Sequence, residues 1–231
     1  MHPIEQLRYV ARASGADASL LVEEAASALG VFGRDPAGMV TACRRLLTRQ
    51  PEIGALWWMA AQMVTSTDPW ETSRDVIAAL RSDPTGRHLA HELPDNPRVL
   101  ISGWPDIAVA ALPRRGDASV LVLDVEGQGT SVVRRLDRAD LVSEHVDPAH
   151  VAGAVEESSL VVLEAAAVGE GAALVDVGSV PAAAVARAAG VPVWLVVGVG
   201  RRLPEPYWEA IVERVADPDL PAFLAPHEVL S

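Results

Sequence analysis

Residues 98–124, RVLISGWPDIAVAALPRRGDASVLVLD, carry the clearest sign of the chain's architecture. The stretch begins and ends with the short runs RVLIS and SVLVLD, in which apolar side chains follow one another without polar alternation. A turn with glycine and proline lies between them, followed by a helical segment at 106–112. Two continuous apolar strands joined through a helix are typical of a parallel sheet that is covered on both faces.

The same alternation continues along the rest of the chain. Further apolar runs occur at 140–143 (DLVS), 160–164 (LVVLE) and 192–197 (PVWLVV), and the helical segments between the runs lie at 130–136, 148–157 and 180–189. We therefore predict an α/β class protein, in which residues 96–231 form a Rossmann-like domain with a mainly parallel sheet and helices on both faces.

Residues 1–95 have a different pattern, in which apolar side chains recur at helical spacing. The first predicted helix carries Ile4, Leu7, Val10 and Ala11 on one face, and later helices begin at Asp-Pro or Asp-Ala pairs. Residues 81–97 contain three prolines and a glycine, which predicts a linker. We expect an all-helical N-terminal domain and linker over residues 1–95.

Composition excludes several classes of function. The 231 residues carry 31 acidic and 19 basic side chains, for a net charge of −12, and every basic side chain is arginine. Without lysine there is no Schiff base, no pyridoxal phosphate attachment and no Walker lysine. The acidity disfavours nucleic acid and anionic membranes as partners. The single cysteine, Cys43, and the absence of an apolar run of spanning length predict a cytoplasmic protein.

Ligands of such sheets bind beyond the carboxyl ends of the strands, so the loops there are the candidate sites. The first loop contains Ser102 and Gly103, where free backbone amides at the start of a helix could meet a phosphate. The alternative is structural, because Asp106 is well placed to cap that helix and would occupy the same amides.

The second loop, DVEGQGT, has two carboxylates and two glycines before a helix. Asp124 could hold a ribose hydroxyl or a cation, Glu126 could transfer a proton, and Gly127 and Gly129 could bring the backbone close to a ligand. A dinucleotide fingerprint is not completed, since Val132 stands where its third glycine belongs. The alternative is a tight turn with a solvated Glu126.

Two later loops add further candidates. Glu164 ends a strand and could act as an acid or base, and Gly178 with Ser179 precedes a helix in a geometry that suits an anion or a routine cap. Arg201 and Arg202 follow the last strand and could bind a phosphate or the carboxylates of a partner. No histidine and cysteine spacing suits a metal site, and no cofactor is expected.

The blocks LVVLEAAAVGEGAALVDVGS (160–179) and PVWLVVGVGRRL (192–203) resemble a known family. It comprises the alpha, beta and delta subunits of eukaryotic translation initiation factor 2B, methylthioribose-1-phosphate isomerase and ribose-1,5-bisphosphate isomerase. The resemblance spans roughly residues 50 to 230 and keeps Gly171, Gly178 and Ser179. It implies the order of domains given above, a homodimer through the α/β domains, and a phosphorylated small molecule or a protein as ligand.

The departures from the family pattern bear on activity. The family's acid/base aspartate falls on Ala165, and its Asn-Lys pair falls on Val175 and Asp176. Its phosphate-binding Glu-x-Arg-Pro stretch falls on residues 124–127, so a carboxylate, Glu126, replaces the arginine. The isomerases' cysteine has no counterpart in residues 96–231. The resemblance therefore implies a member without the family's chemistry.

Three hypotheses follow from the sequence. The preferred one is a diverged, non-catalytic relative that acts as a binding or regulatory protein. The second is a sugar-phosphate isomerase-type enzyme with relocated chemistry, and the third is an interaction scaffold whose acidic surface attracts a basic partner. The relocated enzyme would use Asp124, Glu126 or Glu164 for proton transfer and Ser179 with Arg201 or Arg202 to hold an anion.

Overall fold

The computed structural model describes residues 17–32, 35–125, 127–215 and 228–230. Within this part of the chain, backbone contacts define two compact units. The helical unit takes residues up to Asp83 together with Ala167–Glu170 and Val199–Asp219, and the α/β unit takes Pro84–Ala166, Gly171–Gly198 and the residues after Asp219. The predicted first helix, with Ile4, Leu7, Val10 and Ala11, lies outside the described residues.

The elements are given in chain order. They are α1 (Ala18–Gly30), α2 (Pro36–Arg49), α3 (Gly54–Thr65), α4 (Pro69–Arg81), α5 (Thr85–Glu92), β1 (Arg98–Ser102), α6 (Asp106–Ala111), β2 (Ser119–Leu123), α7 (Gly129–Asp137), β3 (Val142–Val146), α8 (Val151–Glu156), β4 (Leu160–Val168), β5 (Ala173–Val175), α9 (Ser179–Ala189), β6 (Val193–Val196), α10 (Glu205–Val215) and β7 (Glu228–Leu230).

Three helices of the helical unit begin as the sequence predicts. Asp17 accepts hydrogen bonds from the first amides of α1, Asp35 caps α2, and Asp68 caps α4. Each carboxylate satisfies amides that have no partner within the helix. The four helices α1 to α4 enclose one apolar core, whose largest fully buried side chains are Leu29, Leu46, Leu56, Met59 and Met63.

The α/β unit is built on a mainly parallel sheet. Among the described residues seven strands pair in the order β3-β2-β1-β4-β5-β7, and β6 pairs with β4. Strands β3, β2, β1, β4 and β6 are parallel, whereas β7 runs antiparallel to β5. In the centre, Ile101 of β1 lies opposite Val122 of β2 and Val162 of β4.

Both faces of the sheet are covered around β1 and β2, which explains why these strands are largely apolar after their first residue, whereas β3 (VSEHV) is largely exposed and carries polar side chains. Val99 and Ile101 pack in one core with α6 and α7, whereas Leu100 packs in a second core with α8 and α9. Successive side chains of a strand point to opposite faces, so a strand between two helical layers needs no polar positions. The predicted α/β class, with an N-terminal helical region and a Rossmann-like sheet, is confirmed.

Several boundaries differ from the predictions. The strand predicted at 140–143 is observed at Val142–Val146, because Asp140 has a φ of +58° that does not occur within a strand. Residues 81–97 are not a bare linker, since α5 occupies Thr85–Glu92 between Pro84 and Pro94. β4 extends to Val168, and β5 was not predicted.

Candidate functional site

The order of the strands defines where a ligand of the α/β unit would bind. From β1 the chain continues to β2 and β3 on one side, and it then returns to β4 and β6 on the other. The carboxyl ends of β1 and β4 therefore flank the switch point of the sheet, which is the usual ligand crevice of such folds. Ser102 ends β1, and Gly103 follows it.

Glu164 reaches this crevice from β4. It lies two residues beyond Val162, which pairs with Ile101, so it is level with Gly103 and on the same face as Val162. That face packs against α6. The predicted acid or base candidate therefore points toward the start of a helix.

The carboxylate of Glu164 caps that helix. Its Oε2 accepts hydrogen bonds from the backbone amides of Ile107, at 3.0 Å, and Ala108, at 3.1 Å, and the residue is 9% exposed. The sequence predicted Asp106 as the cap, which is wrong. Pro105 holds the N-cap position, and Asp106 is the first residue of the helix. A negative charge of the chain thus occupies the amides that a phosphate would need.

A second carboxylate fills the loop after β1. Asp176 Oδ2 accepts a hydrogen bond from the amide of Trp104 at 3.3 Å, and the hydroxyl of Ser102 donates to the carbonyl of Val177 at 3.2 Å. The structure therefore brings Ser102 and Gly103 together with the loop that leads into α9. The backbone groups of these two loops are thus hydrogen-bonded to side chains of the chain itself.

Gly178 and Ser179 lie at the start of α9. Gly178, with a φ of +92°, is the N-cap residue, and Ser179 is the first residue of the helix, with its amide bonded to the carbonyl of Asp176. Ser179 is buried, with 1% of its surface exposed. Its hydroxyl does not cap the helix, and its proposed contact with an anion remains a prediction.

Asp124 follows β2 and lies beside a histidine that the sequence analysis did not select. Nε2 of His145, on β3, is 2.9 Å from Asp124 Oδ2. Burial raises the pKa of Asp124, but hydrogen bonds from the backbone of Gly129, from His145 and from the backbone of Gly127 outweigh burial, so this pKa lies below its ordinary value. The backbone amides of Gly127 and Gly129 therefore donate to Asp124. Glu126 lies outside the described residues.

We expect Asp124→Asn to destabilise the chain at neutral pH by about 1 kcal/mol. The asparagine side chain lacks the negative charge that strengthens the hydrogen bonds from Gly129, His145 and Gly127. A carboxyl whose pKa is lowered by folding adds stability above its unfolded pKa, near 4, and this stability is lost as the pH falls through the folded value. Melting curves at pH 7 and pH 3 should therefore show a difference from the parent that shrinks in acid. Asp75→Asn, at an exposed site on α4, is the control. An equal deficit at both pH values would contradict the assignment.

Arg201 and Arg202 belong to the helical unit by their contacts. Arg201 is 5% exposed, whereas Arg202 is exposed and forms a parallel bridge with Val168. The backbone there is fixed by a hydrogen bond from the amide of Val168 to the carbonyl of Arg201. Their proposed binding of an anion remains a prediction.

Three further features were sought in the described residues: a metal site, a reactive cysteine and a membrane-spanning helix. These residues contain no group of three His, Cys, Asp or Glu side chains that could hold a metal ion. Burial raises the pKa of Cys43 to about 11, so its thiol is a poor nucleophile at neutral pH. No described helix has the length and apolar character needed to cross a bilayer.

Comparison with solved structures identifies the architecture. The translation initiation factor eIF-2B of Pyrococcus horikoshii OT3 superposes with a TM-score of 0.79 over 87% of this chain and 79% of that chain, at 12% identity. The chain has the fold of initiation factor 2B subunits. The tetrameric eIF2B beta2-delta2 complex of C. thermophilum gives 0.73 over 88% and 79%, at 14% identity, and eIF2B delta of Chaetomium thermophilum gives 0.65 over 84% and 85%, at 15% identity.

No protein-family model and no curated protein matches the chain. At these identities the likeness to initiation factor 2B establishes the fold, and it confirms at that level the resemblance read from residues 160–203. Three carboxylates on the carboxyl-end side of this sheet accept hydrogen bonds from the chain's own backbone, two after strands β2 and β5 and one within β4. We call Asp124, Glu164 and Asp176 the internal carboxylates.

Proposed function

We propose that this chain is a diverged, non-catalytic relative of the initiation factor 2B subunits and the sugar-phosphate isomerases, and that it acts as a binding or regulatory protein. One observation carries the proposal. The carboxylate of Glu164 holds the amides of Ile107 and Ala108 at the switch point of the sheet. A phosphate at these amides would have to displace a buried charge and would then lie beside it.

The neighbouring positions support the same conclusion. Ala165, which aligns with the family's acid/base aspartate, is fully buried in β4 and has no ionisable group. Asp176, where the family has a lysine, binds the amide of Trp104 instead. Isomerisation needs a positioned acid or base, and these positions supply neither.

A ligand screen tests the proposal. We expect no change in melting temperature when the purified chain is heated with nucleotides, pentose phosphates or methylthioribose 1-phosphate. A ligand present at a hundred times its Kd adds about 2.7 kcal/mol of stability and would be visible. Glu164→Gln is the matched variant, because a ligand that competes with this carboxylate should bind the variant more tightly. Turnover of a pentose phosphate by the parent chain would overturn the proposal.

The proposal includes association of two chains through the α/β unit, as the resemblance implies, in the cytoplasm. One of the similar solved structures is itself a tetrameric complex of beta and delta subunits. In the same preparation, sedimentation should give about twice the 24.4 kDa of one chain. The ligand is then a phosphorylated small molecule bound away from the internal carboxylates, or a protein.

A relocated enzyme is the second candidate, and the pair of Asp124 and His145 favours it. His145 is 44% exposed in its side chain, and a 10% exposed carboxylate orients its ring. An imidazole held in this way can transfer protons. If the screen detects isomerisation, Asp124→Asn should lower kcat at a temperature where the variant, despite its loss of about 1 kcal/mol, is still folded, whereas loss of stability alone would assign Asp124 a structural role.

A further inference from the structure

The second helix of the helical unit presents a basic face in an acidic protein. α2 contains no acidic residue, and its three arginines, Arg44, Arg45 and Arg49, are exposed. Within the described part of the chain, their guanidinium groups form no hydrogen bond and no ion pair. They lie within about 8 Å of one another along the helix axis, whereas the whole chain carries a net charge of −12. We call these three residues the α2 arginines.

The stability of α2 alone does not account for three unpaired positive charges. Arg45 and Arg49 are one turn apart, a spacing at which like charges destabilise a helix. The helix dipole favours a cation in the last turn, which holds Arg49 but not Arg44. Elsewhere in the same unit, Arg81 of α4 pairs with Glu23 of α1 at 2.8 Å. The carboxylates of another molecule would give the α2 arginines the same kind of partner.

An apolar cavity of about 180 Å³ opens beside α2. It lies where the end of α1, the start of α2, the end of α3 and the start of α4 meet, and its apolar lining includes Phe32, Pro36, Met39, Val40, Met63 and Val64. Val40 and Val64 are 36% and 44% exposed, so this lining reaches the surface. An apolar cavity of roughly 150 Å³ can hold a benzene molecule. The space therefore suits one large apolar side chain.

The cavity and the α2 arginines are neighbours on α2. Arg44 follows Val40 by one helical turn, so the two residues lie on the same side of the helix, about 6 Å apart along its axis. Asp35 and Asp68 cap α2 and α4 and directly precede two prolines of the cavity lining. These exposed carboxylates would repel an acidic group. The acidic groups of a ligand therefore have to lie toward the carboxyl end of α2.

We propose that the cavity and the α2 arginines together form a docking surface for an acidic segment of another protein. One large apolar side chain of the segment enters the cavity and anchors it, and neighbouring carboxylates pair with the α2 arginines and set its direction. A nucleic acid fits less well, because the net charge of −12 repels its backbone and the cavity accepts an apolar group. The surface belongs to the helical unit, so it is independent of the association proposed for the α/β unit.

Peptide selection tests the chemistry of the surface. Random peptides of about twelve residues, long enough for three helical turns, are displayed on phage and selected on the purified chain. We expect the enriched peptides to combine a net negative charge with at least one large apolar residue. The affinity of a labelled, enriched peptide is then measured by fluorescence anisotropy. Arg44→Gln together with Arg45→Gln should weaken its binding at least about tenfold, and added salt should weaken it further.

Two pairs of variants separate the site from general effects. Arg134→Gln with Arg138→Gln removes the same charge from exposed positions on and after α7, and it should leave the affinity unchanged. Val64→Trp fills the cavity from its exposed rim, so it should also weaken binding about tenfold without lowering the melting temperature. Val142→Trp, which is 67% exposed on β3, is its control.

Three results would overturn the proposal. The first is that selection enriches no peptide, or only basic or uncharged ones. The second is that the two arginine pairs weaken binding equally, which would mean that net charge rather than the surface on α2 is responsible. The third is that an oligouridylate displaces the peptide at an equal concentration, which would assign the α2 arginines to nucleic acid.

Discussion

Glu164→Ala should lower the stability of the chain by about 3 kcal/mol, because it leaves two amides of α6 without an acceptor in a buried position. The amides of Ile107 and Ala108 both donate to the same carboxylate oxygen. At this chain length the loss corresponds to a fall of about 10 °C in melting temperature. Thermal unfolding followed by circular dichroism measures it directly.

Glu164→Gln is the control that separates hydrogen bonding from charge. Glutamine keeps an oxygen that can accept from both amides, so we expect a loss of only about 1 kcal/mol. Melting temperatures of Glu164→Ala and Glu164→Gln that equal the parent's would mean that the carboxylate does not hold α6. Glu164 would then be free to act in a binding site, contrary to our proposal.

Gly178→Ala should be the second large effect, with a loss of about 3 kcal/mol. The φ of +92° at Gly178 costs a non-glycine residue about 1–2 kcal/mol. An added Cβ would also strike the side chain of Val125 and approach Ser102 Oγ to 3.1 Å. Gly178 joins the loop after β5 to the ends of β1 and β2, so the loss should destabilise the whole α/β unit. A shift in the midpoint of urea unfolding measures it.

Gly190→Ala isolates the backbone contribution. Gly190 also has a positive φ, +72°, but nothing lies within 4 Å of the position its Cβ would take. We expect a loss of about 1 kcal/mol there. If the two variants unfold at the same urea concentration, the contact between Gly178 and the Val125 loop is not a constraint on the fold.

The fold could be predicted because its signals are local. Apolar runs such as 98–102 and 119–123 fix the strands, and the carboxylates at Asp17, Asp35 and Asp68 fix the starts of helices. Each signal lies within a few residues of the element that it specifies. The start of β3 was misplaced because the left-handed backbone of Asp140 has no strong mark in the sequence.

The sequence predicted several residues of the candidate site but not the contacts between them. The sequence selected Ser102, Gly103 and Asp124, which lie at or beside a strand end, and Glu164, which was expected to end a strand but lies in the middle of β4. It did not reveal that Glu164 caps α6, a contact across 56 residues, or that His145 faces Asp124. One signal was available, because Glu164 is an ionisable residue in a strand whose neighbours are all apolar, and such a residue needs a buried partner.

The internal carboxylates have a consequence for how such a protein could respond to the cell. A bound metabolite stabilises a fold by an amount that rises with the logarithm of its concentration above Kd, so the stability of its host varies with supply. Glu164 and Asp176 are tethered to the backbone they neutralise, and their local concentration never changes. Under the proposed function, the stability of the sheet at its switch point therefore does not depend on the concentration of a metabolite.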